Sequence, residues 1–252
     1  MEILEALFLG LVQGASEFLP VSSSGHLLLL EKIGIGEPDL FFNVCLHLGT
    51  LFSVLICLRK KLWELVRHPF SKTTLYIVLA CIPTVAIALL FKYFAPAMLA
   101  GEYLPLGFEI TAFLLIWSEK MVKDTGAPMC AKTGILTGLF QGIAVLPGIS
   151  RSGSTIAAMR MCGMNKSSAA EFSFLLAIPI IAGSALFEGV ECATTGALQN
   201  VNVAALLVGV AAAFVSGCIA IKFFMKMMQN KSLTPFAVYT AGMSIVSFFV
   251  LG

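Results

Sequence analysis

The chain has 252 residues, of which 58% are hydrophobic and only 12% charged, and its mean hydropathy is +0.94. That composition excludes an ordinary soluble domain and places the chain in a lipid bilayer. A formal net charge of +2, with sixteen Lys and Arg residues in no long basic run, excludes a nucleic-acid-binding surface.

The first five residues, Met1-Glu2-Ile3-Leu4-Glu5, are acidic where a signal peptide needs basic residues, so they are expected to stay in the mature chain. The apolar limb Ile3 to Val12 is too short to cross hydrocarbon, which takes about 17–25 helical residues. A Pro/Ser/Gly break follows it, and a second short limb, Gly25 to Leu30, returns. This pattern predicts a re-entrant helical hairpin with its irregular tip buried in protein, because unpaired backbone facing lipid costs several kcal/mol per group. Three spans follow at about 39–58, 73–94 and 104–121, the third the shortest. A second interrupted segment, Thr133 to Leu146 returning through Thr155 to Met161, predicts a second hairpin. Three more spans come next, at about 168–187, 202–221 and 233–251. Pro83 and Pro179 fall inside spans and suggest kinks. The seven cysteines lie mostly in apolar stretches without metal or redox spacing and read as small buried hydrophobes. The expected fold is an all-α polytopic membrane protein of six transmembrane helices plus two re-entrant helical hairpins, one domain over residues 1–252 with no linker.

Positive charge assigns the sides. Thirteen of the sixteen Lys and Arg residues lie in segments 59–72, 120–132, 160–166 and 222–231, against Lys32 and Lys92 on the opposite side and Arg151 within the membrane. The basic segments are therefore expected in the cytoplasm and both termini outside. The first hairpin then enters from outside and the second from the cytoplasm, giving the halves 1–115 and 133–252 inverted topology.

The two hairpin tips read as imperfect copies. Gln13-Gly14, Leu19-Pro20 and the Ser22 to Gly25 cluster match Gln141-Gly142, Leu146-Pro147 and the Ser150 to Gly153 cluster, and twelve positions separate Gln13 from Gly25 and Gln141 from Gly153. Internal symmetry with Gly/Pro-broken apolar segments points to a site where two tips meet near the bilayer midplane. Arg151 costs at least ~2.5–3.5 kcal/mol at that depth unless a partner receives it, so an anion is expected beside it. Its surroundings, Gly148, Ser150, Ser152, Gly153 and Thr155, suit phosphate: hydroxyls, glycines that let N–H groups approach, and a helix N-terminus expected near Ser154 or Thr155. On the first tip Gln13 and Glu17 share a helix face and could hold a divalent cation or a water, Glu17 also balancing Arg151. Ser22, Ser23, Ser24 and His26 offer a hydroxyl beside an imidazole, which is a nucleophile and base arrangement; alternatively the imidazole itself attacks phosphorus, or the serines simply cap a helix. His47 and Glu171 either support the site or pair helices, His68 is expected to be solvated, and Glu188 and Glu191 are expected in an outer loop.

At these residues the chain resembles the undecaprenyl-diphosphatase family, the bacitracin-resistance type of integral membrane phosphatase, over essentially its whole length. The family's acidic-or-amide, three residues, then Glu motif is met by Gln13 and Glu17. Its Pro-Val-Ser-Ser-x-Gly-His run is Pro20 to His26, its Pro-Gly-x-Ser-Arg-Ser-Gly-x-Thr run is Pro147 to Thr155, and Glu171 to Ala177 repeats its Glu-Phe-Ser-Phe-Leu-Leu-Ala segment. Many members carry glutamate where this chain has Gln13, which leaves Glu17 to do more alone. The resemblance implies hydrolysis of undecaprenyl diphosphate to the monophosphate carrier lipid at the outer face of the bacterial plasma membrane, in support of peptidoglycan synthesis. It also implies a divalent cation, magnesium or calcium, and allows a homodimer. In that reading Glu17, Ser23, His26 and Arg151 are catalytic, Ser22, Ser24, Gly148, Ser150, Ser152, Gly153 and Thr155 bind the diphosphate, and Gln13 with Glu17 holds the metal. The rival reading is an inverted-repeat transporter or flippase for a phosphorylated polyprenyl lipid, which would need the anion site but no nucleophile.

Overall fold

The computed structural model describes residues 2–36, 39–120, 122, 124–195 and 202–251. Every regular element among them is an α-helix: α1 (Ile3–Phe18), α2 (Ser23–Lys32), α3 (Leu40–Cys57), α4 (Arg59–Arg67), α5 (Lys72–Phe94), α6 (Pro96–Leu99), α7 (Leu104–Lys120), α8 (Ala131–Ile143), α9 (Arg151–Met161), α10 (Lys166–Thr195), α11 (Val203–Asn230) and α12 (Thr234–Leu251). Five of these, α3, α5, α10, α11 and α12, are long and apolar enough to cross a membrane. They coincide with five of the six expected spans. The remaining one is α7, a helix of 17 residues.

Several boundaries differ from the sequence expectation. Helix α1 continues past Val12 to Phe18 and takes Gln13 and Glu17 with it, because apolar neighbours bury those polar side chains and nothing breaks the helix before Pro20. Leu19 is extended (φ −76°, ψ 147°), as the residue before a proline prefers. Helix α9 starts at Arg151 rather than near Ser154, since Ser150 caps it by accepting the Gly153 N–H at 3.1 Å. Helix α10 runs well beyond residue 187, so Glu188 and Glu191 belong to a helix and not to a loop. Glu191 pairs with Lys92 at 2.8 Å and does not merely meet water. Helix α4 forms inside the basic segment 59–72. It buries no residue, and the Arg67 guanidinium lies 5.0 Å over the Trp63 ring, as suits an amphipathic helix at an interface. Of the cysteines only Cys192 is buried, while Cys130 is exposed at the start of α8. Pro83 and Pro179 both sit inside unbroken helices.

The helix pairs α1/α2 and α8/α9 are each held by a helix distant in the chain. Helix α1 lies along α11, and α8 lies along α5. Both contacts are made through small residues: a methyl group on Gly14 would come within 2.8 Å of the Gly217 nitrogen, and one on Gly138 within 2.7 Å of the Pro83 ring. Such close backbone approach is how helices associate in lipid, where hydrophobicity gives no driving force. A hydroxyl fastens each seam, Ser216 to the Gly10 carbonyl at 3.4 Å and Thr84 to the Gly138 carbonyl at 3.0 Å. Helix α7 packs on α12, and α3 on α10 and α11. Beneath the tips, Phe18, Phe174 and Phe224 pack in series, the first pair edge-on and the second tilted, with centroids 5.4 and 5.8 Å apart, in the largest buried cluster among the described residues.

Candidate active site

Short polar turns bring the two tips together. In the first, Ser22 has φ +69°, the one positive value on a non-glycine residue among those described, a conformation that costs about 1–3 kcal/mol and persists only where neighbours impose it. In the second, Gly148 supplies φ +87° without that penalty. Ser152 donates to the Leu19 carbonyl at 3.0 Å, joining tip to tip. Gly25 faces Gly148 so closely that a Cβ would lie 3.0 Å from the Gly148 nitrogen. Thr111 of α7 anchors the second tip twice, donating to the Gly148 carbonyl at 2.8 Å and accepting from the Ser150 N–H at 2.9 Å. Thr111→Val should strand both buried groups and cost about 1–3 kcal/mol; an unchanged thermal midpoint in detergent would show that this anchor does not hold the tip.

Glu17 is the centre of the junction. One carboxylate oxygen receives the Arg151 guanidinium. The other receives the Ser23 hydroxyl at 2.5 Å and the Gln13 amide at 3.0 Å, with His47 Nε2 3.9 Å away. The Glu17 and Arg151 side chains keep 6% and 15% of their exposure, so each charge depends on the other. Helices α2 and α9 both begin here, at Ser23 and Arg151, and their positive dipole ends favour an anion between them. Ser16, Glu17, Ser22, Ser23, Ser24, Ala144, Ile149, Ser150 and Arg151 line a cleft of about 40 Å³. That holds little more than water, so the ion pair closes the cleft in this state.

The sequence model of the family described as Bacitracin resistance protein BacA matches residues 6–246. The chain belongs to that family. A protein named undecaprenyl-diphosphatase from Carboxydothermus hydrogenoformans is 40% identical over 95% of this chain and 94% of its own length. One of the same name from Bacteroides fragilis is 38% identical over 99% and 98%. Undecaprenyl-diphosphatase 4 of Bacillus cereus is 36% identical over 98% and 96%.

The BacA-family motif residues divide into two groups by where they point. Gln13, Glu17, Ser22, Ser23, Ser24, Ser150 and Arg151 surround or touch the cleft. Gly148, Ser152, Gly153 and Thr155 build the second turn from behind: Thr155 bonds Ser173 at 2.7 Å, and the Gly153 N–H serves the Ser150 cap. His26 is not among the residues lining the cleft; its ring sits edge-on to Phe108 and stacked on Tyr239. The Glu171 to Ala177 segment supplies Ser173 and Phe174 to the floor, while Glu171 itself pairs with Lys61 at 3.1 Å away from the junction. His47 proves to be a neighbour of Glu17, which its position between apolar residues of a span could not reveal. Thr111 and Tyr239 lie in no motif, and only the fold brings them here.

A divalent cation can be tested against these donors. Among the described residues no three of His, Cys, Asp or Glu gather as a ready cage. Gln13 Oε1, however, is buried without a hydrogen-bond partner, and beside it stand Glu17 and serine hydroxyls, all hard oxygen donors of the type magnesium and calcium take. The set fits such a cation once substrate phosphate oxygens join it.

Proposed function

We propose that this chain hydrolyses undecaprenyl diphosphate to undecaprenyl phosphate and inorganic phosphate, returning the carrier lipid to peptidoglycan synthesis and thereby opposing bacitracin. The observation that carries the chemistry is the 2.5 Å hydrogen bond from the Ser23 hydroxyl to Glu17, whose other oxygen faces Arg151. A transporter or flippase would need the guanidinium but not a serine aimed at a carboxylate, and the relatives' names agree with hydrolysis.

Binding exchanges partners. The diphosphate takes the place of Glu17 on Arg151, supported by the N-termini of α2 and α9 and by Ser22, Ser24 and Ser150, while the prenyl tail stays in lipid. Glu17, released from the guanidinium, accepts the Ser23 proton as Ser23 Oγ bonds the terminal phosphorus. The bond from that phosphorus to the bridging oxygen breaks, undecaprenyl phosphate leaves with the electron pair, and Glu17 passes the Ser23 proton to the departing phosphate, which restores its carboxylate. Water then attacks the seryl phosphate, one of its protons returning through Glu17 to Ser23 Oγ, and inorganic phosphate departs. Because charge spreads over the equatorial oxygens, a preorganised guanidinium and two helix ends lower the barrier directly. When bound, a magnesium or calcium ion, for which Gln13 Oε1 and Glu17 are the donors, supplies further neutralisation of that charge.

The topology proposed with this activity is six spans, α7 included, and two re-entrant hairpins, α1/α2 and α8/α9, in inverted repeats covering about 1–115 and 133–252 of a single membrane domain. Supporting it, α1 against α11 and α8 against α5 are the same contact with the halves exchanged. The bias of Lys and Arg supports both termini outside, and the family resemblance supports a multi-pass protein of the bacterial plasma membrane with the cleft reached from the outer side.

Phosphate release from undecaprenyl diphosphate by the purified protein in detergent is the test, with Glu17→Gln as control. The variant should turn over about 10²–10⁴ times more slowly. Absence of release by the wild type, with lipid movement in vesicles instead, would give the chain to the transporter reading.

A further inference from the structure

His26 has both ring nitrogens engaged away from the cleft. Nδ1 lies 2.7 Å from the Ser22 carbonyl oxygen, and Nε2 lies 2.7 Å from the Tyr239 hydroxyl. A carbonyl only accepts, so Nδ1 carries a proton; in the neutral imidazole Nε2 then holds the lone pair and Tyr239 is the donor. The two rings are stacked, 5.6 Å apart and 2° from parallel, and Phe108 closes the edge at 5.5 Å. The imidazole is thus restrained on three sides. What it restrains in turn is Ser22, the residue at φ +69°, whose carbonyl also takes the His26 backbone N–H at 3.2 Å. Ser23, whose hydroxyl meets Glu17 at 2.5 Å, is the next residue.

We infer that Tyr239, in α12, is a positioning residue for the hydrolysis: its hydroxyl fixes the orientation of His26, which holds the Ser22 carbonyl in the left-handed turn that presents Ser23 to Glu17. The inference rests on the proposed function for its kinetic readout but has a structural readout of its own. A left-handed serine needs such over-determination to persist, and a misplacement of about 1 Å at a nucleophile can cost on the order of 100-fold. The Arg151 loop is held separately by Thr111, so the guanidinium's grip on the phosphates does not depend on this brace.

Tyr239→Phe removes one hydroxyl and keeps the stacked ring. It should lower kcat by about 10- to 100-fold and leave KM nearly unchanged, the mark of an interaction expressed in the transition state. His26→Asn keeps a side-chain N–H that can reach the Ser22 carbonyl but, being shorter, places no acceptor where Nε2 meets Tyr239. That variant should retain measurable turnover, and adding Tyr239→Phe to it should lower activity no further. Nitrogen NMR of His26 should show the Nδ1–H tautomer in both proteins, with Nε2 shifted by a hydrogen bond in the wild type and not in Tyr239→Phe. Full kcat in Tyr239→Phe, or penalties that multiply in the double variant, would overturn the inference. So would a folded His26→Asn enzyme without turnover, which would give the imidazole a chemical role. If the wild type hydrolyses no diphosphate, the proposed function fails, and the Nε2 measurement still decides the brace.

Discussion

Arg151→Ala is expected to reduce phosphate release by about 10³–10⁵, the range seen when an arginine that stabilises a transferring phosphoryl group is lost. The same change should destabilise the protein by about 3–5 kcal/mol, because it leaves the Glu17 carboxylate, 6% exposed, buried without its counter-charge. The two effects separate in the double variant Arg151→Ala with Glu17→Gln. Its thermal midpoint should recover most of the loss while its activity stays absent. Arg151→Lys restores a point charge but not the planar fork, and should recover stability better than turnover. Folded Arg151→Ala protein with turnover within tenfold of wild type would remove the guanidinium from the mechanism.

Ser23→Ala carries the second large effect. Removing a nucleophile in a Ser-based site costs on the order of 10⁶ in kcat, and a comparable collapse is expected here with the fold intact, since Ser23 is half-buried and its hydroxyl serves only Glu17. The neighbouring serines provide internal controls. Ser22 caps α2 through the Gly25 N–H at 3.4 Å and lines the cleft, so Ser22→Ala should cost about 1 kcal/mol of stability and raise KM. Ser24 is exposed on the cleft wall, and Ser24→Ala should raise KM more than it lowers kcat. Acid quench during turnover should trap phosphate on Ser23. A Ser23→Ala enzyme that still turns over would transfer the attack to water held by Glu17.

Much of this arrangement is legible in the residues themselves. The paired Gln-Gly, Leu-Pro and Ser/Gly patterns mark both tips, and an intramembrane arginine demands an anion, which Glu17 turns out to supply. Local signals end where tertiary contacts begin. The glycines of α1 and α8 read as ordinary small residues until α11 and α5 are set against them. The reach of α10 past residue 187 depends on Glu188 and Glu191, which continue a helix as readily as they populate a loop, and the Lys92 partner that favours the helix lies in a distant span. The direction of His26 was the least legible feature: its motif neighbours are serines, yet its ring partners, Phe108 and Tyr239, come from α7 and α12.

The seam between α1 and α11 joins two helices far apart in the chain, Ile3–Phe18 and Val203–Asn230. At about 5–20 residues per second of synthesis, the wait between them is on the order of 10–40 s. During that interval the opening hairpin has no Gly217 to rest on, and until Arg151 emerges its carboxylate has no counter-ion. Biogenesis therefore runs through a long-lived nascent intermediate whose polar loop must be sheltered at the membrane surface or by the insertion machinery, and the functional junction closes only when the last helices dock.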